Sequence, residues 1–153
     1  GVIGVLATTR TLESERFGRL VGNHANHLRV VVQACPGLAE AIETEGPDSP
    51  QVAALLDLFV APLAQANADV VVLGCTHYPW VAEAITRRMP AGVTLLDTGE
   101  PVARQLERLL AAGGLLGGGT GRLTIATSGA PQKLIATVDR LFGAKMAVEH
   151  WEP

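Results

Sequence analysis

The sequence predicts an α/β fold, a mainly parallel sheet flanked by helices, on three observations. Runs rich in Val, Ile and Leu alternate with stretches of helical period along the 153 residues, the order expected of β-α-β units. The run Asp69 to Gly74 carries no polar alternation, and such a strand is normally central in a parallel sheet covered by helices. Hydrophobic residues make up 48% of the chain and charged residues 18%, a balance that supports a packed core and excludes a largely disordered chain.

Each element follows from local pattern. Val2 to Ala7 reads as a strand, Thr11 to Val21 as a helix and Leu28 to Ala34 as a second strand. Pro36 to Glu45 reads as a helix with proline in its first turn, where the missing N–H costs nothing. Val52, Leu55, Leu56, Phe59, Val60 and Leu63 recur at helical spacing and define a one-faced helix. Pro62 falls inside it and predicts a kink or two short helices. After the strand at Asp69 to Gly74, a helix is expected from Tyr78 to Met89 and a strand from Val93 to Leu96. Asp97 to Pro101 reads as a turn opening the next helix, with Val102, Leu106, Leu109 and Leu110 on one face. Six of the nine residues Gly113 to Gly121 are glycine, which predicts a flexible linker. A strand (Leu123 to Thr127), a helix (Ala130 to Phe142) and a short strand (Met146 to His150) complete the chain.

Composition narrows the function. Twelve Lys and Arg against fifteen Asp and Glu leave a net charge of −3, so no basic stripe for nucleic acid is expected. No apolar run has membrane-spanning length. Two Cys 40 residues apart build neither a disulfide scaffold nor a zinc site. Gly1 leads straight into the apolar Val2-Ile3-Gly4-Val5-Leu6, so we read the chain as a fragment.

The sharpest segment is Gly74-Cys75-Thr76-His77-Tyr78-Pro79. It falls at the carboxyl end of the apolar strand, the rim where open α/β sheets bind ligands. Gly74 permits a tight turn and close ligand approach. Thr76 and His77 would present N–H groups at a helix start, which favours anions and the thiolate form of a nearby Cys. His77, two residues on, is placed to exchange the Cys75 proton. The plainer reading, Cys75 as a small buried strand-end residue, is weakened by that histidine and that setting.

This block, after Val-Val-Val-Leu, resembles the signature of bacterial glutamate racemases, members of the aspartate/glutamate racemase family. Gly4 to Thr11, Cys35-Pro36-Gly37-Leu38 running to Glu43, Leu96 to Gly99, and Ala126 to Gly129 resemble further landmarks of that family. The resemblance implies a racemase-like α/β fold. Residues 1–97 would form the family's second, inserted domain, nearly complete, and 98–153 the C-terminal part of its first. It implies interconversion of L- and D-glutamate without cofactor or metal, by two cysteines on opposite faces of the α-carbon. Cys75 would be the second of these. Thr76 and His77 would contact substrate, His77 would also assist Cys75, and Glu43 would assist proton transfer. Thr8 and Thr11 would belong to a threonine loop at the substrate. The family's first catalytic Cys, in an Ala-Cys-Asn-Thr-type motif, and its Asp-Ser motif have no counterpart here. The resemblance therefore implies an N-terminal half as partner, an inactive chain when alone, a cytoplasmic setting and a role in peptidoglycan synthesis. A homodimer is a candidate assembly, and neither nucleic acid nor membrane is expected as a partner. A racemase of another acidic amino acid, and a non-catalytic remnant binding small acids or a partner, stay open beside this reading.

Other candidates read as structural. His24 and His27 suit a polar helix end or loop, since no third metal ligand is evident. Cys35 reads as a strand-end residue with no basic neighbour. Glu43, on its own, reads as solvated helix surface. Thr8, Thr9 and Thr11 suit a helix N-cap as well as a carboxylate cradle. Gly117 to Gly121 lacks the Gly-Lys-Ser/Thr of a phosphate loop.

Overall fold

A computed structural model describes residues 1–120 and 122–152. The chain divides into two compact units, Gly1–Leu106 and Glu107–Pro153.

The first unit is built on four parallel strands, β1 (Val2–Ala7), β2 (Arg29–Ala34), β3 (Val70–Gly74) and β4 (Thr94–Asp97), in the order β2-β1-β3-β4. As the unbroken apolar run predicts, β3 is internal; β1 beside it is the other central strand. Leu6 pairs with Leu73 and Ala7 with Gly74, so the carboxyl ends of β1 and β3 lie side by side. The chain leaves β1 toward β2 and returns to β3 on the opposite side of β1, which makes this pair of ends the switch point of the sheet. Gly4 and Gly74 have no room for a side chain. A Cβ on Gly4 would lie 2.6 Å from Leu63, and one on Gly74 would lie 2.9 Å from the Ala7 Cβ and 3.1 Å from the Leu6 carbonyl oxygen. Gly74 thus serves close packing of two strands rather than a tight turn; its φ is not in the left-handed region.

Five helices belong wholly to this unit: α1 (Thr9–Leu12), α2 (Glu15–His24), α3 (Leu38–Glu45), α4 (Pro50–Gln65) and α5 (Ala82–Thr86). The core gathers Leu6, Val71 and Leu73 of the sheet with Leu38 and Ile42 of α3 and Val52, Leu56, Val60 and Leu63 of α4, all nearly inaccessible. Arg88 ties α5 to α4: its Nε donates to Asp57 Oδ1 at 2.6 Å and its other nitrogens to the carbonyls of Ala53 and Ala84. By contrast α2 buries none of its residues, and an apolar cavity of about 290 Å³ opens between it and Ile3, Val5 and Val72.

Four expected helices come out differently. The one read from Pro36 starts at Leu38, with Gly37 as its N-cap, so Pro36 lies in the turn before it rather than in its first turn. Thr11 to Val21 is two helices, because Ser14 caps the second: its Oγ accepts from Phe17 N and donates to Thr11 O. Pro62 does not divide α4; it sits in the last turn, where only the bond to the Leu58 carbonyl is forgone and Leu58 is exposed. Tyr78 to Met89 opens as a 3-10 turn over Tyr78–Val81 before the short α5.

A sixth helix, α6 (Gly99–Ala112), contains the division between the units; Val102, Leu106 and Leu109 on it are exposed. The second unit pairs β5 (Ile125–Thr127) in parallel with β6 (Val148–His150), joined by α7 (Pro131–Phe142). In the stretch read as a linker, residues 113–120 carry no regular element, and Gly121 lies outside the described residues.

Candidate active site

Cys75 stands at the carboxyl end of β3, partly exposed. His77, two residues on, turns its Nδ1 to within 3.7 Å of the Cys75 Sγ. The other ring nitrogen, Nε2, lies 2.5 Å from Glu43 Oε1 of α3. Glu43 reaches this place because α3 starts right after β2. The Cys35 N–H bonds the Ala7 carbonyl at 2.9 Å, and Gly37, at φ 76°, reverses the chain into the helix. The three side chains form a line, carboxylate to imidazole to thiol. An ionised carboxylate only accepts, so Nε2 carries the proton between His77 and Glu43. Nδ1 of the neutral ring is then free to accept from the thiol. Transfer of the Cys75 proton to His77 would give a thiolate beside an imidazolium held by Glu43.

The helix-start field expected at Cys75 is much reduced, because the segment opens with a four-residue 3-10 turn instead of a long helix. Beside the thiol stands the His77 imidazole, itself paired with Glu43. Thr76, also expected at substrate, is exposed on the same loop. Thr8 and Thr11 lie after β1, with their hydroxyls 2.8 Å apart; Thr8 caps α1 by accepting from Thr11 N at 3.3 Å. His24 ends α2, and His27 lies in the following turn beside Asn26. Among the described residues, no three His, Cys, Asp or Glu cluster as a metal site, and no helix is long and apolar enough to cross a membrane.

Residue-level reading missed two neighbours of Cys75. Cys35 is buried, its Sγ against the Gln33 carbonyl. Burial pushes its thiol up to about 11, against a smaller opposing pull from the Tyr78 hydroxyl. Tyr78 is fully buried and its hydroxyl has no hydrogen-bond partner. Burial also drives its pKa well upward, and the thiols of Cys35 and Cys75 beside it add to the effect. Both sulfurs are near enough to act on the hydroxyl, Cys35 more strongly than Cys75. A buried unsatisfied hydroxyl costs about 1–3 kcal/mol. The sequence signal for Tyr78 was its place in the Gly74 to Pro79 block, three residues after Cys75, which says nothing of its burial.

Fold and site together define a parallel α/β domain with Cys75, His77 and Glu43 brought together at the carboxyl rim of its sheet. The model of the Asp/Glu/hydantoin racemase family matches residues 1–106, and the chain belongs to that family. It is 52% identical over 125 residues to a glutamate racemase of Pseudomonas syringae pv. tomato, covering 82% of this chain and 46% of that one. The fold matches a glutamate racemase isoform from Bacillus anthracis with a TM-score of 0.88 at 26% identity, covering 99% of this chain and 57% of the other. A Thermus thermophilus glutamate racemase in complex with β-chloro-D-alanine matches with a TM-score of 0.83 at 30% identity, over 99% and 57% of the two chains. This chain thus spans about half the length of the relatives it matches.

Proposed function

We propose that this chain supplies one side of a two-thiol active site that interconverts L- and D-glutamate without a cofactor. The observation that carries the reading is the line Cys75, His77 and Glu43 at the end of β3. Cys75, as thiolate, takes the α-proton from one face and becomes a thiol; a second thiol gives a proton to the opposite face. In the reverse direction the two exchange roles, and His77 with Glu43 holds or returns the Cys75 proton. Thr76, Thr8 and Thr11 line the rim and are proposed to hold the substrate's polar groups. Cys35 is unsuited to be the second thiol, since it is buried and keeps its proton near neutral pH. We assign that thiol to a companion segment from the part of the relatives' length that this chain does not span. On this reading residues 1–97 are the inserted domain and 98–153 belong to the domain the companion completes. Glutamate is favoured as substrate by the names of the relatives; formation of D-glutamate for peptidoglycan, in the cytoplasm, follows from the same reading.

The test incubates the chain alone, the chain with a complementary segment from a relative, and that pair carrying Cys75→Ala, each with L-glutamate in deuterated water. Chiral chromatography follows the enantiomers and NMR follows α-exchange. Racemisation is expected only from the pair with Cys75 intact. D-Glutamate formed by the chain alone, or an undiminished Cys75→Ala pair, overturns the assignment. Racemisation of aspartate but not glutamate by the pair would move the substrate to another acidic amino acid.

A further inference from the structure

We propose that the apolar cavity between α2 and the sheet is a docking surface for the companion segment, which lays the apolar side chains of a helix there while its thiol faces Cys75. The proposal rests on the reading that a companion completes the site, and adds to it a contact outside the chemistry.

The two faces of the sheet are covered unequally. Side chains alternate along a strand, so Gly4 and Leu6 of β1 face one way and Ile3 and Val5 the other. The first face is closed. A Cβ on Gly4 would strike Leu63 of α4, and Leu6, Val71 and Leu73 are buried with the side chains of α3 and α4. On the second face Ile3 pairs with Val30 and Val70, and Val5 with Val32 and Val72, so its inner strands present apolar side chains throughout. A parallel sheet is normally covered on both faces. Here α2 gives little cover: it buries none of its residues, its Leu20 is 57% exposed, and Val32 and Leu96 of the sheet are each 47% exposed. The gap that remains is the cavity of about 290 Å³, walled by Ile3, Val5 and Val72 on one side and by Phe17, Leu20 and Val21 on the other.

Two observations point to the occupant. The chain spans 46% of the Pseudomonas syringae relative and 57% of the Bacillus anthracis one, which leaves a segment of similar length to cover this face. The cavity also reaches Thr11 and Gly74, and Gly74 directly precedes Cys75. A segment that brings a second thiol opposite Cys75 therefore stands next to the cavity opening. Among the described residues, those lining the cavity include no Asp, Glu, Lys or Arg, so apolar side chains suit it. An amphipathic helix supplies them at i, i+3 and i+4 while satisfying its own backbone hydrogen bonds.

The experiment coexpresses the 153-residue chain with a tagged segment, the part of the Pseudomonas syringae relative that this chain does not match. Complex recovered on the tag is quantified, and dilution gives the dissociation constant. Leu20→Asp puts a charge on the cavity wall, Val72→Phe fills the space, and Leu58→Asp is the control, exposed on α4 of the closed face. Circular dichroism checks that each variant is folded. Leu20→Asp and Val72→Phe are each expected to weaken the complex about tenfold or more, and Leu58→Asp to leave it unchanged. No complex with wild type, or wild-type affinity in both cavity variants, overturns the proposal. A chain dimer that both variants dissociate and that the tagged segment fails to displace would give the cavity to a second copy and also overturn it. The catalytic reading is judged apart. A pair that assembles through the cavity yet does not racemise glutamate refutes that reading alone, and a pair that racemises while both cavity variants bind like wild type refutes the docking surface alone.

Discussion

His77 and Glu43 lie 34 residues apart in sequence, and in the fold the imidazole Nε2 meets the Glu43 carboxylate at 2.5 Å. The pair turns Nδ1 toward Cys75, 3.7 Å away. A carboxylate on the far side of a histidine orients the ring and stabilises its protonated form, which is what a thiol about to give up a proton needs.

Breaking that pair should slow Cys75 without unfolding the domain. Both side chains are partly solvated, so the effect is moderated by screening. Glu43→Gln is expected to lower the Cys75 alkylation rate at pH 7 by about 3–10-fold, and His77→Asn by at least as much. Circular dichroism should be unchanged in both. A Glu43→Gln chain that labels at the wild-type rate would remove Glu43 from the relay.

The two thiols should separate by rate. Cys35 is buried and its pKa is pushed up to about 11, whereas Cys75 is partly exposed beside His77. Peptide mapping during iodoacetamide treatment at pH 7 should show Cys75 labelled more than tenfold faster, since only thiolate reacts. Labelling of Cys35 at a comparable rate would contradict its burial.

Stability should fall at alkaline pH. The Cys35 thiol has an ordinary value near 9 and is raised to about 11 in the fold, so the unfolded chain loses that proton first. The contribution is fully present below about pH 9 and is lost as pH rises through about 11. At roughly 1.4 kcal/mol per pH unit this amounts to about 2–3 kcal/mol. Tyr78, also raised, adds in the same direction above its ordinary value near 10. Urea unfolding from pH 8 to 11 measures the slope, and Cys35→Ala should flatten it. A slope identical in wild type and Cys35→Ala would mean that the thiol is not the titrating group.

Two glycines should respond oppositely to alanine. Gly74→Ala puts a Cβ 2.9 Å from Ala7 and 3.1 Å from the Leu6 carbonyl oxygen, and should cost about 1–3 kcal/mol. Gly18, exposed within α2 with nothing within 4 Å of an added Cβ, should gain about 0.5–1 kcal/mol. Thermal unfolding of the two variants gives the comparison; a Gly74→Ala chain as stable as wild type would refute the packing assigned to that position.

The purified chain should bind an apolar dye and self-associate. Val102, Leu106 and Leu109 stand exposed on α6, Phe142 and Trp151 are exposed further on, and the cavity beside α2 is lined by Ile3, Phe17 and Leu20. Light scattering after size exclusion, with a fluorescent probe titration, reads both properties. A dye-free monomer at high concentration would show that these side chains are adequately solvated one by one.

Much of the first unit was legible because its signals are local. The apolar run at β3 and the Cys-Thr-His-Tyr-Pro block beyond it sit in one stretch of chain, so strand and site residues could be read together. The helix breaks were less legible, because they depend on competition. Ser14 had to prefer capping to continuing a helix, and Tyr78 had to enter a 3-10 turn. The meeting of Glu43 with His77 is tertiary. By residue pattern alone Glu43 looks like solvated surface, and only the route through Cys35 and Gly37 brings it to the rim. Tyr78 was hidden for a similar reason: nothing in its sequence neighbourhood reveals that its hydroxyl is sealed in the core without a partner.

The position of β1 in the middle of the sheet bears on how the chain is made. Its Val2 N–H is answered by Asp69, 67 residues later, and its second neighbour, β3, follows directly. At about 5–20 residues per second, translation leaves β1 waiting roughly 3–13 s for that neighbour. During this interval β2 can pair on one side while the other edge of an apolar strand stays open to whatever is nearby. Ribosome-stalled chains ending before Val70 should therefore hold a general chaperone, and chains extended well past Gly74 should release it. A strand that looks safest in the finished fold is, during synthesis, the one longest exposed.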